Sequence, residues 1–104
     1  MGLDFAIDSL YETGWNADQA TGCPSHVDGR RYPSEDQVRR AFEENGFKLT
    51  VRHVQLFDCY RAEWREAQAG GGQAGGAVVG QTAAEAAVYA MSHLRRQLLA
   101  DAKV

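Results

Sequence analysis

FKLTVRHVQLFDCYRAEW, residues Phe47 to Trp64, decides how this chain is built. Phe47, Leu49 and Val51 alternate with Lys48, Thr50 and Arg52, which is the period of a half-buried strand and not of a helix. A second alternating run sets Tyr60, Ala62 and Trp64 against Arg61, Glu63 and Arg65. Together they predict an amphipathic antiparallel hairpin turning near Phe57 to Cys59, with Arg61, Glu63 and Arg65 on its water side. Past Val51 the parity falters, because Val54 and Leu56 are out of phase with Phe47, Leu49 and Val51. A β-bulge near Arg52 and His53 would return both sets to one face; a tight bend with three short strands is the alternative.

The flanks supply helices to cover that face. Upstream, Ser34 and Gln37 form a capping-box pair ahead of Glu35 to Asn45, a run with Val38, Ala41 and Phe42 on one side. Glu35 with Arg39, Asp36 with Arg40 and Arg40 with Glu44 have the spacing of surface ion pairs, and Gly46 suits the helix end. Downstream, residues 67–76 read AQAGGGQAGG, too poor in side chains to offset the entropy of ordering them, so a flexible loop is expected. Ala77 to Val79 then suit a short edge strand. Thr82 and Glu85 cap a last helix to about Ala100 that turns Ala83, Ala87, Ala90, Met91, Leu94 and Leu98 inward.

Residues 3–13 form a third amphipathic segment, with Leu3, Ile7, Leu10 and Tyr11 on one side and Asp4, Asp8 and Glu12 on the other. Gly14 stops it, and Trp15 is placed to plug the helix or the sheet. Residues 14–33 make a long connection of turn chemistry, either a functional loop or one that hides a short helical turn over 16–20. At 104 residues the chain is expected to be one domain. The fold class that follows is α+β, a small antiparallel three-stranded sheet with two helices on one face, preceded by an N-terminal helix and a long loop.

From Ser34 on, the order helix, strand, strand, strand, helix, closing with GAVVGQTAAEAAVYAMSHLRR, resembles the double-stranded RNA-binding domain over residues 34–100. The resemblance implies that fold and a duplex-RNA partner. In that family a lysine-rich motif opens the last helix and grips phosphates. Gly80, Gln81, Thr82, Ala83, Ala84 and Glu85 stand at that place here, with no basic residue among them. Gln37 or Glu35 would match the family's minor-groove contact from its first helix.

Eleven basic and fourteen acidic residues give a net charge of −3, which argues against binding through a summed positive field to nucleic acid or an acidic membrane. Two cysteines and a start without a basic leader or long apolar run point to a cytoplasmic chain with reduced thiols. No cofactor is expected unless Cys23, His26, His53 and Cys59 converge as a Cys2His2 zinc set. Cys23 and Cys59 could also form a disulfide, or Cys23 with His26 a reactive thiolate. For a partner, Trp15, Arg30, Arg31, Tyr32, Arg61 and Arg65 are the candidate contacts. Three functions remain open: a non-enzymatic module for a protein partner or self-association, a nucleic-acid binder using Arg30, Arg31, Arg52, Arg61 and Arg65, and a zinc- or cysteine-dependent protein.

Overall fold

The computed structural model of the chain describes residues 2–16, 22–66 and 75–102. Its elements are α1 (Leu3–Tyr11), α2 (Glu35–Glu44), β1 (Phe47–Val54), β2 (Cys59–Glu66), β3 (Gly76–Gly80) and α3 (Ala83–Ala102). The strands form one antiparallel sheet in the order β1-β2-β3. This is the α+β arrangement that the alternating hairpin and its flanking helical periods imply. The short helical turn considered for 16–20 and most of the glycine-rich segment 67–76 lie outside the described residues.

Each element starts and stops for local reasons. Ser34 Oγ accepts the Gln37 N–H at 3.2 Å while Gln37 Oε1 accepts the Ser34 N–H at 2.7 Å, so two donors orphaned by the helix start are satisfied reciprocally. At the other end Gly46 takes φ +85°, a left-handed conformation that lets the chain leave α2 and enter β1 at once. Arg39 pairs with both Glu35 and Asp36 at 3.0 Å, in place of the expected Asp36–Arg40 pair. At the start of α3, Glu85 N–H donates to Thr82 Oγ1 at 3.1 Å, but the Glu85 carboxylate accepts from Gln81 N–H at 3.2 Å and not from Thr82. A carboxylate there also complements the positive end of the helix.

Val38 and Phe42 of α2, Phe47 and Leu49 of β1, Ala62 and Trp64 of β2, and Ala86, Ala87, Ala90 and Leu94 of α3 make the main core. Phe42 lies at its centre, with its ring 6.3 Å from Phe47 edge-on and 5.3 Å from Trp64. Alanines on α3 let that helix approach the sheet closely, and glycines do the same from the sheet. A Cβ on Gly76 would come within 2.5 Å of the Trp64 ring, and one on Gly80 within 2.8 Å of the Ala86 nitrogen.

α1 does not touch the sheet layer's open face; it packs on the other flank of α3. Ala6, Ile7, Leu10, Trp15 and Val88 form a second buried cluster there. Ser9 and Ser92 hydroxyls meet at 3.0 Å, and Arg95 Nε donates to Thr13 Oγ1 at 2.8 Å. Helix α3 is therefore apolar on two sides and sits between the sheet and α1. Leu98, expected inside, is exposed because its position lies beyond this double contact.

The expected bulge at Arg52 and His53 is absent. Pairing runs without interruption from Phe47↔Glu66 to Val54↔Cys59, so Val54 stays on the solvent side and His53 on the core side beside Tyr60, their rings 5.0 Å apart. Gln55 to Phe57 form a 3-10 turn closed by Asp58 at φ 47°. Leu56 and Phe57 are 84% and 73% exposed at this tip. The reason is geometric. The pairing register continues to the end of β1 with polar His53 at the core-side position, and no buried core residue lies there, so a bulge would gain no burial to offset the lost ladder bonds.

Candidate functional site

Strand alternation gathers charge on the sheet face away from the helices. Lys48, Thr50 and Arg52 of β1 stand beside Arg61, Glu63 and Arg65 of β2, and Val79 and Ala77 of β3 lie opposite Arg61 and Glu63. This face holds four cations and one carboxylate, in a chain that leaves seven basic and thirteen acidic residues elsewhere. Lys48 pairs directly with Arg65 across the strands, and Arg52 with Arg61. Like charges directly opposite one another cost stability. Glu63 relieves one pair, its Oε1 lying 3.3 Å from Arg52 and 3.4 Å from Arg61 Nε. The Arg61 Nε contact is within ion-pair range but lacks hydrogen-bond alignment. Lys48 and Arg65 have no ion pair among the described residues. Together with Thr50, Arg52 and Glu63 they line a shallow hollow of about 270 Å³.

The second feature is the edge of the sheet at β3. Both outer strands are edges, and β1 carries Lys48 and Arg52, charges of the kind that discourage a further strand. β3 reads GAVVG, with no charge and no proline, and its five consecutive pairs with β2 contain no bulge. Val79 is 56% exposed. At the Gly80 end of this strand lies a groove of about 450 Å³ lined by Cys59, Val78, Val79, Gly80, Gln81, Glu85 and Tyr89. Burial, and then the Glu85 and Asp4 carboxylates, hold the Tyr89 phenol above the usual tyrosine range, so it stays a neutral donor in the groove.

Residues 25–31 of the long connection form a clasp. Ser25 and Arg31 form a β-bridge, His26 N–H donates to Arg30 O at 2.8 Å, and Gly29 makes the turn at φ +90°. Arg30 then reaches back to α1, contacting the Asp8 carboxylate and binding Asp28 Oδ2 through Nε at 2.8 Å. Its hydrogen bonds hold the Asp28 carboxyl below the usual aspartate range, and Asp28 and Asp8 in turn raise the guanidinium. The Tyr11 hydroxyl donates to Arg31 O at 2.7 Å. Arg30 is thus engaged within the chain.

The candidate partner residues therefore separate. Trp15, 6% exposed, belongs to the cluster between α1 and α3, and Tyr32 is half-buried against the same cluster. Arg31 is exposed on the loop, whereas Arg61 and Arg65 share the sheet face. The Cys2His2 set does not assemble into one group. Cys23 Sγ faces Gln37 Oε1 at 3.6 Å, His53 Nε2 meets Asp58 at 3.0 Å, and Cys59 lines the β3 groove. Both thiols are free, and among the described residues no three His, Cys, Asp or Glu side chains are grouped to hold a metal. Lys48 and Tyr89 were missed as site residues. Lys48 shares parity with Arg52 and was legible on that ground; Tyr89 was not, because only folding brings its helix beside β3. No helix among the described residues is long and apolar enough to cross a membrane.

No protein-family model, curated protein or solved structure matches the chain.

Proposed function

We propose that the chain is a protein-interaction module that accepts an extended segment of another protein as a fourth strand beside β3. The observation that carries this is the unguarded edge: an uncharged, bulge-free strand with a half-exposed valine, on a sheet whose other edge is charged. An added strand would satisfy the outer main-chain groups of β3, while its alternate side chains would enter the adjoining groove. A second copy of this chain is the poorer occupant. Its β3 offers only Gly, Ala and Val, whereas a hollow of about 450 Å³ suits Leu, Met or Phe. Tyr89 adds a hydroxyl that can donate to the incoming backbone.

A displayed library of random extended peptides tests this. Enrichment of sequences with a large apolar residue flanked at alternate positions is expected. Val79→Lys, which guards the edge at an already exposed site, should then weaken the enriched peptide about tenfold, or ~1.4 kcal/mol. Absence of enrichment, or a peptide indifferent to Val79→Lys, would remove the proposal. A dimer in sedimentation that Val79→Lys dissolves would assign the edge to a second copy instead.

A further inference from the structure

We infer that the solvent face of the sheet is a separate docking surface for an acidic segment of a partner protein, centred on Lys48 and Arg65. Two independent observations meet on these residues. The first is charge segregation: the face is cationic although the molecule as a whole is acidic. The second is local cost. Lys48 opposes Arg65 and Arg52 opposes Arg61 across the same hairpin, and a single carboxylate, Glu63, serves only the latter pair. A sequence selected for stability alone would place opposite charges at such positions. Local rules are broken most often at functional or strained sites, and at a functional one a ligand can supply the compensation.

The chemistry of the missing group follows. A carboxylate seated over Lys48 and Arg65 would complete the pattern that Glu63 begins over Arg52 and Arg61, in the hollow all of these but Arg61 line. A run of acidic side chains spaced along an extended segment would meet the cations of β1 and β2 in succession. Nucleic acid fits less well. None of the described strand residues on the face is aromatic, so bases would have only Phe57 at the hairpin tip to stack on, and Glu63 at the middle of the face would repel phosphates. Leu56 and Phe57 at the hairpin tip and Val79 at the far border add apolar rims of the kind a protein segment uses.

This surface does not depend on the strand-addition proposal, and the variants that test the two differ. The probe is a fluorescein-labelled deca-glutamate peptide, followed by anisotropy against an oligouridylate and an RNA duplex of similar length. Binding at low salt that weakens as salt is added is expected. Lys48→Glu converts a repulsive cross-strand pair into an attractive one, so it should weaken the peptide by about threefold to tenfold while the thermal midpoint holds or rises. Arg40→Glu, exposed on α2, should change binding by less than about twofold. Should Lys48→Glu lower the midpoint, the paired change Lys48→Gln with Arg65→Gln is measured in its place. No binding of deca-glutamate, binding unaltered by the face variants, or tighter binding of either RNA would overturn the inference.

Discussion

Gly80 joins the last strand to the last helix at a distance that only a hydrogen allows. An added Cβ would lie 2.8 Å from Ala86 N, 2.9 Å from Glu85 Oε2 and 3.0 Å from Glu85 Cβ, and the first of these is backbone that cannot swing aside. Gly80→Ala is therefore expected to cost about 1–3 kcal/mol through overpacking, although alanine suits most surroundings better than glycine. Chemical denaturation should show this as a lower midpoint at unchanged slope. An unchanged midpoint would mean that the β3–α3 junction relaxes freely. The same closeness sets the groove, since Gly80, Glu85 and Tyr89 all line it. The spacing of Thr82 and Glu85 marks Glu85 as a cap from near neighbours alone. It does not show that Glu85 meets Gly80, because that depends on where α3 returns to the sheet.

The β1–β2 hairpin carries the clearest difference between expectation and structure. Its alternation was legible, and the paired residues Leu49↔Trp64 and Val51↔Ala62 share the core side as the period requires. Its turn falls close to the expected Phe57 to Cys59, but the bulge that would bring Leu56 inward is absent. Leu56 and Phe57 sit beyond the core in the 3-10 turn. Leu56→Ser should consequently alter stability by no more than about 0.5 kcal/mol, as for other exposed sites. Were Leu56 inside, as a bulge would place it, the loss would be about 2 kcal/mol or more. Calorimetry decides between these. Helix α2 contrasts with the hairpin tip: its capping box and terminal glycine are formed by residues within one turn of each other, and both are found as the sequence implies.

Over the whole molecule, α3 couples two buried clusters that hold one tryptophan each. Trp64 belongs to the cluster between sheet and helices, and Trp15 to the cluster between α1 and α3. Ala86, Ala87 and Ala90 contribute to the first and Val88 to the second, so neither cluster can open without exposing part of the same helix. Unfolding followed by Trp15 alone in a Trp64→Phe variant, by Trp64 alone in a Trp15→Phe variant, and by far-ultraviolet circular dichroism of each should give coincident transitions within each variant. Separate fluorescence and dichroism midpoints within a variant would show that α1 is an appended element. The amino-acid order by itself determined the strand pair, the helix starts and stops, and the side of each element that is apolar. Those follow from spacing between near neighbours, which a chain carries whether folded or not. Only tertiary structure decided that α1 covers α3, that Trp15 joins the cluster between those two helices, that Lys48 stands opposite Arg65 and Arg52 opposite Arg61, and that β3 borders a groove. Periodicity says which side of an element avoids water, but what lies against that side depends on the three-dimensional path between elements.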